Sequence, residues 1–449
     1  MGTEERSPWG ALFARGPCAD LVSADGWVQA MLEVEVALAR GAVRVGLGGA
    51  DAAEAVARAA EQLRSFRPET MAAGNPVPEL VAALRQLVPE GARGLVHLGA
   101  TSQDIIDTAL MLLLRRGAHH VGEALDASAS FAAGLAVEHR ATVMLGRTLL
   151  QPALPITFGL KAAGWLRSFA EAAMHLASAV ETHGMVQFGG AVGTLASLGD
   201  KGEALAQALA DELGLKLPPL PWHGFRMAPL AQGAAFAQVA AGVGKVARDF
   251  TLLAQHEVAE VSEGPGGGSS TMPHKQNPVC AISVLACTKR VPGLLSTLLA
   301  SAEQEHERAA GAWHAEWETY SELLRLTGSG CAWMVEVLRK IQVHPEQMWA
   351  NYERTQGLPL AEKLRARLLP VLGHSEASRV TQEAVALARA QGCALPATLE
   401  VAGLRTTLVE AGVDVQALTA ELRPEQYLGA TQVLIDRCLS LHGGRYRTS

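Results

Sequence analysis

Between Phe236 and Leu253 the apolar residues Phe236, Val239, Val243, Val246, Phe250 and Leu253 recur at steps of three and four. That rhythm is the seam of a helix laid along other helices. The same periodicity covers roughly 104–140, 157–182, 279–309 and 316–342. Each stretch exceeds the mean globular helix of about 11–12 residues. Several such helices predict an extended bundle and an all-α class. No succession of alternating strands and no internal repeat interrupts the pattern.

Breaks in the pattern suggest where the chain divides. Pro76-Val77-Pro78 and Pro89-Glu90-Gly91 punctuate the first third, and 187–198 and 217–223 the middle. Gly357-Leu358-Pro359 and Leu372-Gly373-His374 open a final stretch of shorter helices. Three segments are expected: 1–98, 99–345 with the long helices, and 346–449. Gly242 and Gly244 inside a central helix lower its propensity. Close packing against other helices would offset that, which favours an oligomer core.

Composition narrows the partners. The chain has 449 residues and a formal charge of −7. No basic stripe carries interleaved aromatics, so no nucleic-acid partner is expected. The start, MGTEERSPWG, lacks the basic and apolar regions of a signal peptide. The longest uncharged stretch, about 227–244, is too short and polar for a membrane span. Six scattered cysteines without a CxxC pair suit reduced thiols in a cytoplasmic protein.

Two segments carry candidate chemistry. GPGGGSSTMPHKQNP, residues 264–278, places four glycines, two serines and a lysine between helical stretches. Its reading as a phosphate loop is weak: Gly268 is followed by serine, Lys275 by glutamine, and no strand is expected before it. Lys275 and Asn277 suit a carboxylate, and the N–H groups of a helix starting near Val279 favour an anion. A lid carrying a proton-transfer group fits, and so does a flexible linker with an incidental lysine. HLGATSQDIIDTAL, residues 97–110, sets Thr101, Ser102 and Gln103 before a helix. That turn suits carboxylate binding and equally an ordinary N-cap.

Taken together, these segments resemble the fumarase/aspartase superfamily, whose signature loop GSSxMPxKxN reads here from Gly268 to Asn277. The segment 100–108 resembles its first signature block and 146–164 its second, while 23–39 is similar to its N-terminal helix. The stretches 187–199, 221–226, 304–317 and 427–436 resemble the branch that interconverts carboxymuconates and lactones.

The resemblance implies an all-α, three-domain subunit with a long central helix bundle. It also implies a homotetramer with active sites shared between subunits, and a small polycarboxylate substrate handled with no cofactor and no metal. Carried over by motif position, Ser269 is the proton-transfer residue. Lys275 and Asn277 hold the carboxylate on which charge develops, where preorganised donors act most strongly. Thr101 and Ser102 match carboxylate-binding positions. Gln103, Arg147, Thr148, Gln151, Ser270, Met272 and His314 are expected to contact substrate.

Two departures refine the expectation. Many superfamily lyases carry a histidine in the second block, near positions occupied here by Leu149 and Pro152. There it assists a poor leaving group, whereas a departing carboxylate needs no proton. A cycloisomerase is therefore expected. Nitrite leaves as readily, so a nitrosuccinate lyase is the alternative, ahead of an adenylosuccinate-like lyase or an inactive crystallin-like homologue. Gln276 stands where the related cycloisomerases carry a base. Arg147 and Arg308 are the candidates for holding a third carboxylate, against the simpler reading of each as a surface or structural ion pair.

Overall fold

The structure is a computed structural model describing residues 8–264, 272 and 274–442. Its long elements are the helices Ala24–Arg44, Ser102–Glu138, Phe158–His183, Met227–Leu253, Val279–Ser301 and Ala312–Lys340, while Ala361–Gln391 is two shorter helices that meet at a kink at Gly373, φ 72°. The chain is all-α in class, with two small antiparallel ladders.

The apolar seam behaves as its spacing predicts. Phe236, Val239, Val243, Val246, Phe250 and Leu253 are all buried. Gly244 shows why a central helix tolerates glycine: a Cβ there would lie 2.9 Å from Thr288 Oγ1 on the helix Val279–Ser301. That helix is long and apolar enough to cross a membrane by length and composition alone. Lys289 and Arg290 sit near its middle, where hydrocarbon would penalise both charges. It ends at Ser301, earlier than the rhythm to 309 predicts. The following segment turns instead, with Glu305 accepting from the Ala310 amide at 3.1 Å and His306 at a φ of 50°.

The chain separates into two compact units. The first comprises Met1–Asp126, Glu171–Ala247 and Cys280–Glu336. Its N-terminal helix Ala24–Arg44 is capped by Ser23, whose hydroxyl accepts from the Gly26 amide at 3.1 Å. The second comprises Ala127–Ala170, Arg248–Val279 and Val337–Ser449. Its apolar core joins Leu145 to Leu360, Leu364, Val380, Leu399 and Leu408.

The second unit also contains a hairpin that helical periodicity did not reveal. Strand Val143–Thr148 pairs with Gln151–Thr157, with a register shift between Leu145 and Arg147. Only Leu149 and Leu150 form the turn, at φ of 51° and 65°. Two positive φ values are the mark of a type I′ turn, which normally calls for Asn or Gly.

Candidate active site

The turn before the helix Ser102–Glu138 is built from inside. Asp104, in the helix's first turn, is 1% exposed. Its Oδ2 accepts from the Thr101 amide at 2.9 Å, half of a capping box. The same oxygen accepts from Gly190 N at 2.9 Å, while Oδ1 accepts from Gly189 N, Gln187 Nε2 and His223 Nε2 at 3.0, 3.1 and 2.7 Å. The stretches around Gln187 and His223, noted in the sequence as breaks in the helical pattern and for their resemblance, thus supply donors to one carboxylate.

His97 fixes the other side of the turn. Fully buried Glu35 accepts from the His97 amide at 2.9 Å and lies 2.7 Å from its Nδ1. His97 itself sits at a φ of 62°. Neither residue was singled out from sequence, because the 62-residue separation hides the pair.

One helical turn further on lies a buried ionic cluster. Asp107 accepts from Arg226 NH1 and NH2 at 2.6 and 2.9 Å, and from Trp313 Nε1 at 3.0 Å. Glu316 accepts from Arg226 Nε and NH2 and from Gln304 Nε2. Burial opposes the Arg226 charge, but Asp107 and then Glu316 more than offset it and hold its pKa above the usual value. Burial raises the Glu316 pKa despite the opposing pull of Arg226.

Gln103 joins this cluster to the surface. It is fully buried, and its Nε2 donates to Asp107 Oδ2 at 3.2 Å and to the His223 carbonyl at 3.0 Å. Its Oε1 accepts from Arg308 Nε at 3.4 Å, and Arg308 NH1 donates to Thr101 Oγ1 at 2.8 Å. Thr101, Gln103 and Arg308 therefore form one local group, with Ser102 opening the helix beside them. His314 is exposed and its ring lies against Trp313 and Trp317, with centroids 5.1 and 4.7 Å away.

The second unit holds the remaining candidates. The two guanidinium nitrogens of Arg147 donate to Glu260 at 2.9 and 2.6 Å, and Asn351 Nδ2 donates to Glu260 Oε1 at 2.9 Å. Glu260 is fully buried, so Arg147 forms an internal ion pair here. Thr148 and Gln151 face each other at the exposed end of the hairpin. Met272 and Lys275 are exposed, with the Lys275 amide donating to the Met272 carbonyl at 3.0 Å; Asn277 is half-buried just before the helix. Ser269 and Ser270 lie outside the described residues. Upstream of them, Val261–Ser262 pairs with Gln342–Val343, and Ser262 Oγ lies 2.9 Å from His344 Nε2. Among the described residues no group of three His, Cys, Asp or Glu side chains is placed to hold a metal ion.

Comparison with known proteins extends this geometry. A sequence model of a lyase family matches residues 18–293. A 3-carboxy-cis,cis-muconate cycloisomerase of Bradyrhizobium diazoefficiens is 41% identical, covering 92% of this chain and 93% of that protein. A nitrosuccinate lyase of Streptomyces davaonensis is 39% identical, covering 94% and 92%. The crystal structure of β-carboxy-cis,cis-muconate cycloisomerase from Acinetobacter calcoaceticus superposes with a TM-score of 0.90 at 35% identity, over 97% of this chain and all of that one.

Proposed function

The chain belongs to the lyase family of the fumarase/aspartase superfamily, and from that premise we propose that it is a cofactor-free cycloisomerase interconverting 3-carboxy-cis,cis-muconate and 4-carboxymuconolactone. The observation that carries the choice against a lyase that protonates its leaving group is the hairpin turn. Its two residues are Leu149 and Leu150, 97% and 74% exposed, and neither can supply a proton to a leaving group. Opening a lactone requires no such proton, because the departing group is already a carboxylate.

The steps balance without a cofactor. In ring closure a substrate carboxylate oxygen adds to the carbon β to a second carboxylate. The electron pair of the alkene moves into that second carboxylate as an aci-carboxylate. Ser269 then returns a proton to the α carbon. In ring opening Ser269 removes that proton and the C–O bond breaks. Lys275 and Asn277 stabilise the dianionic carboxylate, where fixed positive charge and amide donors act most on the transition state. Serine acts as a base only when cations and dipoles favour its alkoxide. Thr101 and Ser102 bind a substrate carboxylate, and Ser270, Met272, Thr148, Gln151 and His314 line the same substrate.

A three-domain subunit divided near 98 and 345, assembled as a cytoplasmic homotetramer with shared active sites, belongs to this reading. The nitrosuccinate lyase likeness supports a second one, in which nitrite replaces the carboxylate as leaving group. Turnover of 3-carboxy-cis,cis-muconate in deuterium oxide tests the first. One deuterium at the lactone carbon α to a carboxylate is expected by NMR; a lactone without deuterium would reject the proton-transfer step.

A further inference from the structure

We propose that Arg308, aimed by Gln103, is the specificity determinant for the substrate's third carboxylate. This deepens the cycloisomerase reading and rests on it for the identity of the substrate.

Hydrogen-bond chemistry fixes the orientation of Gln103. Asp107 Oδ2 and the His223 carbonyl can only accept, so the amide nitrogen must face them, at 3.2 and 3.0 Å. Asp107 cannot turn away, because Arg226 and Trp313 hold both its oxygens. The Gln103 carbonyl oxygen is thereby presented to Arg308 Nε at 3.4 Å, and Thr101 Oγ1 receives NH1 at 2.8 Å. A buried ion cluster thus sets a buried amide, and the amide sets an exposed guanidinium.

The charge of Arg308 is left available by this arrangement. Its acceptors, Gln103 Oε1 and Thr101 Oγ1, are neutral, and among the described residues no carboxylate lies within ion-pair distance of it. The rest of its planar fork can grip a carboxylate through parallel N–H groups. Arg147, the other candidate, is neutralised by Glu260. Gln276 adds no charge. Of the three cations Lys275, Arg147 and Arg308, with Lys275 assigned to the reacting carboxylate, Arg308 is the one left for the group distinguishing a carboxymuconate from a muconate.

The test compares tricarballylate with glutarate, which differ by one carboxylate at the central carbon, as competitive inhibitors. Wild-type enzyme is expected to bind tricarballylate more tightly. Arg308→Gln, on an exposed segment, should weaken tricarballylate by about 10- to 100-fold while leaving glutarate nearly unchanged. It should raise KM for 3-carboxy-cis,cis-muconate far more than it lowers kcat. Arg308→Lys should recover part of the preference, since it restores charge without the fork. Gln103→Leu should reduce the preference in the same direction, which a merely structural Gln103 would not do selectively. Equal weakening of both inhibitors, or no weakening, overturns the proposal. If nitrosuccinate proves to be the substrate, the function reading fails separately; the inhibitor pair, followed in the nitrite assay, still decides the role of Arg308.

Discussion

Arg226 holds two carboxylates in a site where its own side chain is 1% exposed. Removing one partner from such a group leaves the others buried and uncompensated. Arg226→Ala should therefore lower stability by about 3–5 kcal/mol in denaturant unfolding. A loss below about 1 kcal/mol would show that water reaches Asp107 and Glu316. The residue lies in a segment, PWHGFR, that resembled the family's, but its role was not legible because its partners are 119 and 90 positions away.

Glu79 gives a pH-dependent counterpart at the surface. Its carboxylate accepts from the amides of Glu69, Thr70 and Met71 and from the Thr70 hydroxyl. These donors, the Glu69 amide foremost, hold its pKa below the usual carboxylate value. A depressed carboxylate stabilises the fold above its unfolded pKa and loses that contribution as pH falls through the folded one. Hydrogen exchange at Glu69, Thr70 and Met71 should be protected at neutral pH and lose that protection under acid. In Glu79→Gln it should be fast, relative to the intrinsic rate, at every pH. Unchanged protection in that variant would show that the carboxylate does not order the segment.

At the level of elements, periodicity located the long helices well because burial repeats along each of them. The seam from Phe236 to Leu253 is the clearest case. The hairpin at 143–157 was not legible: Pro152, Pro155 and an apolar two-residue turn obscure alternation, and its pairing has a register shift. The end of the helix Val279–Ser301 was read too late because good helix formers (Glu303, Gln304, Glu305, Glu307 and Arg308) follow Ser301 with no glycine before Gly311, while turn-forming contacts begin at Glu305. Helix contact explains Gly244 more directly than propensity does. Gly244→Leu should drive a side chain into Thr288 and destabilise the protein by about 1–3 kcal/mol, read as a lowered unfolding midpoint. A midpoint at or above wild type would mean that the two helices are free to separate there.

For the molecule as a whole, the signature loop and the first and second blocks made the superfamily legible from sequence. The comparisons bear out that family and the all-α class. The network behind the Thr101 turn was less legible. Asp104 and Asp107 are far in sequence from Gln187, His223 and Glu316, and the two groups meet only after folding. Ser269, Ser270 and the proton transfer assigned to the first of them are read from the loop motif alone. Chemistry on the leaving group therefore decides the account. The most direct measurement follows the diene absorbance of 3-carboxy-cis,cis-muconate beside a nitrite assay on nitrosuccinate, using the same purified protein. Diene loss with formation of 4-carboxymuconolactone, and no nitrite, is the result the account predicts. Nitrite release with the diene unchanged would contradict it.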